Sequence, residues 1–123
     1  MEALIINKTE DTPGVEFNPA KGYFMISDRS WPENAIDFYK PIFDWLEEYM
    51  KNPNPSSIFE FNLEYFNTAS AKQIARLLLQ LEKFSKKTDI IIRWHYDKDD
   101  LDMLTSGSRY AKLLNIKYEF VEH

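Results

Sequence analysis

Through the second half of the chain, apolar and polar residues change places at every second position, and this alternation limits the fold more than any other feature. From Ile58 to Phe66, the residues Phe59, Phe61, Leu63 and Tyr65 fall on one side, with Ile58, Glu60, Asn62 and Glu64 on the other. Such a pattern marks a strand with one buried and one wetted face. It recurs from Asp89 to Tyr96, where Ile90, Ile92, Trp94 and Tyr96 oppose Ile91, Arg93 and His95. It recurs again from Lys117 to Val121, where Lys117 and Glu119 are the polar members. Strands covered by helices on both faces would read as continuous hydrophobic runs instead. The expected sheet therefore carries its helices mainly on one side, unlike the crevice architecture of dinucleotide enzymes.

The remaining segments fill in the order. Leu4 to Thr9 and Gly14 to Asn18, separated by the turn-rich Glu10-Asp11-Thr12-Pro13-Gly14, read as antiparallel strands, and Tyr23 to Asp28 reads as a third. Ser30 with Glu33 forms a capping-box pattern, with Pro32 in the first turn, before Ile36, Tyr39, Phe43, Leu46 and Met50 repeat at helical spacing to about Lys51. Pro41 must remove one hydrogen bond from that helix, so a kink near Asp37 to Pro41 is expected. Asn52-Pro53-Asn54-Pro55 stops it. From Thr68, the residues Ile74, Leu77, Leu78, Leu81 and Phe84 mark a second helix, with Lys83, Lys86 and Lys87 near its negative end. A third covers about Asp99 to Leu114. The result is an α/β mixed sheet of order β-β-β-α-β-α-β-α-β, in which strands joined through helices pair in parallel by right-handed crossovers.

A chain of 123 residues with 44% hydrophobic and 15% aromatic content makes one domain over residues 1–123 with a substantial core. Fifteen basic residues against twenty acidic ones give a net charge of -5, which leaves no electrostatic footprint for nucleic acid or an anionic membrane. The absence of cysteine removes disulfides, thiolate catalysis and Cys-type zinc sites. Met1-Glu2-Ala3-Leu4-Ile5-Ile6-Asn7 has neither the cationic start nor the apolar run of a signal peptide, so the expected location is the cytoplasm.

Searches for catalytic patterns mostly fail. There is no glycine-rich phosphate loop, no G-x-S-x-G elbow and no H-E-x-x-H helix. Glu60 and Glu64 share a face, yet four strand residues set them about 13 Å apart, too far for a glycosidase pair. Asp97, Asp99, Asp100 and Asp102 resemble an oxygen-ligand cluster but lack the glycine and final glutamate of a calcium loop, and negative charge at a helix start is the simpler account. His95 beside Arg93 has no second imidazole expected nearby, which favours a packing role on the sheet over general-base chemistry. No catalytic residue, cofactor or metal is assigned. The aromatics Trp31, Phe38, Tyr39, Phe43 and Trp45 crowd the first helix on more than one face, as core, as a partner surface, or as both.

Asn67-Thr68-Ala69-Ser70-Ala71-Lys72 differs from these. It joins a strand to a helix, presenting hydroxyls where unpaired backbone N–H groups and the positive dipole end converge. Phosphate on Thr68 would add about -1.5 to -2 charges there, which is a switch mechanism. The bland alternative is that Asn67 or Thr68 merely caps the helix.

Four segments taken together, Phe17-Asn18-Pro19-Ala20-Lys21-Gly22, Ser30-Trp31-Pro32-Glu33-Asn34, Phe38-Tyr39-Lys40-Pro41 and Phe61-Asn62-Leu63-Glu64-Tyr65-Phe66-Asn67-Thr68-Ala69-Ser70, resemble the SiaC family of bacterial regulatory phosphoproteins. The resemblance covers nearly the whole chain and implies a STAS-like fold, similar to anti-sigma-factor antagonists, with no catalytic activity. It implies that Thr68, within Asn67, Ala69, Ser70 and Lys72, is phosphorylated by a cognate Ser/Thr kinase and dephosphorylated by a PP2C-type phosphatase. It further implies that the unphosphorylated form binds and activates a GGDEF-type diguanylate cyclase, raising cyclic di-GMP and promoting biofilm formation. Two other readings compete with this one. One is a constitutive interaction module in which Thr68 is only a cap; the other is a small metal-dependent hydrolase built on His95 and the Asp97 to Asp102 cluster.

Overall fold

The computed structural model describes residues 1–123, and its elements follow the expected order: β1 (Leu4–Ile6), β2 (Gly14–Asn18), β3 (Tyr23–Ser30), α1 (Ala35–Tyr49), β4 (Ser56–Phe66), α2 (Thr68–Phe84), β5 (Asp89–Tyr96), α3 (Leu101–Leu113) and β6 (Lys117–Glu122). The six strands lie in the sheet in chain order. β1, β2 and β3 pair antiparallel, and β3, β4, β5 and β6 pair parallel. Each parallel crossover advances one strand in the same direction, so right-handedness puts α1, α2 and α3 on the same face.

Burial follows that geometry. Val15, Phe17, Phe24, Ile26, Phe59, Phe61, Leu63, Ile90, Ile92 and Trp94 form the sheet side of the core, against Tyr39, Ile42 and Leu46 of α1 and Ile74, Leu77, Leu78 and Leu81 of α2. The other face carries a row that crosses the sheet in register, Ile5, Glu16, Met25, Glu60, Arg93 and Glu119. Within it the Arg93 Nε–H donates to Glu119 at 3.0 Å. Opposite charges paired across neighbouring strands stabilise such a face without burying it.

Trp94 is fully buried, and its Nε1–H donates to the Met103 carbonyl of α3 at 3.0 Å. The ring lies flat against Gly107, where any Cβ would run into the indole. α3 approaches the sheet this closely because residue 107 has no side chain.

Local expectations are corrected in α1 and β4. Ser30 and Glu33 do not form a capping box: β3 continues to Ser30, which pairs with Phe66, and the cap of α1 is Asn34, whose Oδ1 accepts the Asp37 N–H at 3.1 Å. The buried stripe of α1 is Ala35, Tyr39, Ile42, Leu46 and Tyr49, so Ile36 is exposed and Phe43 and Met50 flank the stripe. α1 continues through Pro41, which lies on its exposed side, so the bond it cannot make to Asp37 falls toward solvent. Finally, Tyr65 is not on the core face. The β3–β4 register passes from Asp28 with Leu63 to Arg29 with Tyr65, leaving Glu64 as an extra residue. One inserted residue reverses the alternation, and Tyr65 emerges 52% exposed.

Candidate functional site at the start of the second helix

β4 hands the chain to α2 at Asn67, and three hydrogen bonds fix the turn. The Asn67 N–H donates to the Ser30 carbonyl at 3.1 Å, its Oδ1 accepts the Ser70 N–H at 2.9 Å, and its own carbonyl accepts the Ala71 N–H at 2.8 Å. From the neighbouring helix, the Tyr110 hydroxyl donates to the Ala71 carbonyl at 3.0 Å. The cap is therefore Asn67. Thr68 is the first helical residue, it is exposed, and its hydroxyl has no partner in the chain. Of the two cap candidates, Asn67 and Thr68, the helix uses Asn67.

Ser70, two residues on, is fully buried. Ser30 Oγ–H donates to Ser70 Oγ at 2.8 Å, and Ser30 Oγ lies 2.7 Å from the Tyr39 hydroxyl. Ser30 has one proton and gives it to Ser70, so Tyr39 must donate to Ser30. Burial pushes the Tyr39 phenol up to about 12, which keeps this chain neutral and intact at physiological pH. Of the two hydroxyls in this segment, only that of Thr68 can be reached from solvent.

The electrostatics around Thr68 favour an anion. The N–H groups of Thr68 and Ala69 have no intrahelical acceptor and stand at the positive end of a 17-residue helix. Lys72, exposed and one turn further on, lies on the same helical face as Thr68. A phosphate on Thr68 is therefore compatible with the fold that carries it.

The same end of the sheet, where the parallel strands finish and the helices begin, exposes apolar surface. Arg29, Trp31, Glu64 and Tyr65 line one cleft, in which Arg29 Nη2 reaches Glu64 at 3.5 Å. Trp31 is 47% exposed, yet it is held from behind: its backbone N–H donates to the Asp11 carbonyl at 2.8 Å and its Nε1–H to the Glu10 carbonyl at 3.2 Å. Leu101, at the start of α3, is also exposed. The sequence pattern included Trp31 with Phe38, Tyr39, Phe43 and Trp45 as core or partner surface, but it missed Tyr65, whose outward turn depends on the extra residue at Glu64.

The other singled-out residues are placed elsewhere. Asp100 caps α3, its Oδ1 accepting the Met103 N–H at 3.0 Å, and Asp102 lies in the first helical turn. No group of three or more carboxylate or imidazole side chains is arranged so as to hold a metal ion. His95 does have a second imidazole beside it, contrary to expectation: His123 Nε2 lies 2.8 Å from its Nδ1, while Glu60 Oε1 lies 2.8 Å from its Nε2.

These features define a class of protein: a small mixed α/β domain, with helices on one face, that presents a free hydroxyl at a helix N-terminus beside exposed aromatic surface. The chain belongs to the SiaC family of regulatory phosphoproteins, whose family model matches residues 6–123. A protein of Pseudomonas aeruginosa strain UCBPP-PA14 is 28% identical over 99 residues, covering 80% of this chain and 79% of its own length. SiaC of Pseudomonas aeruginosa superposes over the whole of both chains with a TM-score of 0.90 at 23% identity. A crystal structure of the diguanylate cyclase SiaD with its activator SiaC also matches, with a TM-score of 0.91 at 23% identity over 98% of this chain and 99% of that one. The shared fold is thus established at low identity. No helix of the chain is long and apolar enough to cross a membrane.

Proposed function

We propose that this chain is the messenger of a partner switch in the cytoplasm, and that it has no catalysis of its own. Unmodified, it binds and activates a GGDEF-type diguanylate cyclase, so that cyclic di-GMP rises and biofilm formation is favoured. A Ser/Thr kinase transfers phosphate to Thr68 and releases the cyclase; a PP2C-type phosphatase removes it and restores binding. The observation that carries this reading is the free, exposed hydroxyl of Thr68 at the start of α2, three residues beyond the exposed Tyr65. Support for the partner comes from the family and from SiaC, described as the activator of SiaD.

The physics of release is local. A phosphate at a contact must be desolvated, and without an Arg or Lys from the partner that cost falls on the complex. Each 1.4 kcal/mol lowers affinity about tenfold, so a few kcal/mol are enough to empty the complex at cellular concentrations. Thr68→Ala tests the assignment: it should fold normally, bind and activate the cyclase, and remain bound when kinase and ATP are added. Loss of cyclase binding by folded Thr68→Ala would contradict it, and release of that variant by the kinase would point to a constitutive surface controlled from elsewhere.

A further inference from the structure

The helix-free face of the sheet holds one polar group that the partner switch does not use. His95 points to that face from β5, yet it is only 8% exposed because Glu60 of β4 and His123, just past β6, close over it. The two imidazole planes differ by 20° with centroids 5.0 Å apart, so the rings meet through their edges at the 2.8 Å contact between nitrogens.

With both imidazoles neutral and Glu60 ionised, proton accounting for this trio has one solution. Glu60 accepts, so His95 Nε2 carries hydrogen; His95 Nδ1 must then accept, so His123 Nε2 carries the next. Adding one proton leaves an N–H between the rings. Adding two leaves a hydrogen on both facing nitrogens, and the hydrogen bond becomes a contact between two like charges. His95 has Glu60 as counter-ion, whereas no acidic side chain bonds to the imidazole of the exposed His123. The charged neighbours do not alter this order: Arg93 on β5 is held by Glu119 of β6, and Glu122 of β6 accepts the Tyr96 hydroxyl at the alternate position. Asp97 and Lys98 in the following turn are exposed, and the helices all pack on the other face.

His123 also extends the backbone pairing of β6 with β5 by one rung. Its N–H donates to the Tyr96 carbonyl and its carbonyl accepts the Lys98 N–H, each at 2.9 Å. We propose that Glu60, His95 and His123 form a proton-operated latch that holds the end of β6 on β5 while the imidazole pair carries no more than one extra proton, and releases it when the pair carries two. Imidazole gains charge on acidification, so lowering the pH opens the latch.

Hydrogen exchange resolved by NMR between pH 8 and 5 tests this on the intact chain, using protection factors of the His123 and Lys98 amides. Opening that takes up one proton should lower protection by up to about tenfold per pH unit at the acid end. In His123→Gln and in His95→Gln the pH dependence should vanish, while the amides of β4 keep theirs unchanged. Protection that stays flat in the wild type, or a pH dependence that survives in His123→Gln, would overturn the proposal. So would zinc ions at micromolar concentration that hold β6 closed at pH 5 through both imidazoles, since the pair would then be a metal site.

Discussion

Ser30 Oγ donates to Ser70 Oγ across 2.8 Å in the interior, and this bond separates two hydroxyls that the sequence places two residues apart. Ser70 is committed to the core through Ser30 and Tyr39, whereas Thr68 stands free on the first turn of α2. Incubation with a cognate kinase should therefore place one phosphate on Thr68 and none on Ser70, read by mass spectrometry of the peptide spanning Tyr65 to Lys72. Ser70→Ala should lose about 1 kcal/mol in urea denaturation, because a buried hydroxyl donor loses its acceptor, and should still be modified at Thr68. Asn67→Ala should cost a similar amount, about 1 kcal/mol, through loss of the cap, whereas Thr68→Ala should change stability by less than about 0.5 kcal/mol.

A second prediction concerns the packing of α3. Gly107→Ala sets a methyl group against the fully buried Trp94 ring, which cannot swing away because its Nε1–H is bonded to Met103. Overpacking of this kind costs about 1–3 kcal/mol, and the melting temperature should fall accordingly. Adding Trp94→Phe to Gly107→Ala should recover part of the loss, since the smaller ring makes room for the methyl.

Alkaline stability should reflect the buried phenols. Burial raises the pKa of Tyr39 and Tyr110 to about 12, and raises Tyr118 as well, so above pH 10 the folded chain keeps protons that the unfolded chain releases. The contribution of these groups is complete below the unfolded value near 10 and is lost as pH rises through the folded values. For Tyr39 alone the slope reaches about 1.4 kcal/mol per pH unit, and in Tyr39→Phe the decline between pH 10 and 12 should be shallower.

The exposed aromatics at the sheet end should act as anchors for the partner. Trp31→Ala and Tyr65→Ala should each weaken cyclase binding about tenfold or more while leaving the melting temperature near that of the parent, as buried aromatic anchors commonly do. Leu79→Ala, on an exposed position of α2 away from this end, should leave affinity unchanged. Isothermal titration against the purified cyclase separates these outcomes.

The alternation of Phe59, Phe61 and Leu63 with Glu60 and Asn62 was enough to foresee a one-sided sheet, because side-chain period and burial are tied by the pleat. The element order and the start of α2 at Thr68 were legible for the same reason, together with the cap chemistry of Asn67. Tyr65 was not legible, since a single extra residue at Glu64 reverses the faces and arises from pairing with β3, where Arg29 lies 35 residues from Glu64 along the chain. Ser30 looked like a helix cap because local spacing cannot reveal that β3 extends to pair it with Phe66. The meeting of His95 with His123 was hidden as well, being set by the register of two parallel strands.

The central claim is that phosphate on Thr68 ends the interaction with the cyclase. Its most direct measurement is titration of a GGDEF diguanylate cyclase with this chain carrying phosphothreonine at position 68, installed during synthesis, beside the unmodified chain. Binding and stimulation of cyclic di-GMP synthesis by the unmodified chain, with affinity at least about a hundredfold weaker for the phosphorylated one, is the predicted result, equivalent to about 2.8 kcal/mol. Equal affinity of the two forms would contradict the account.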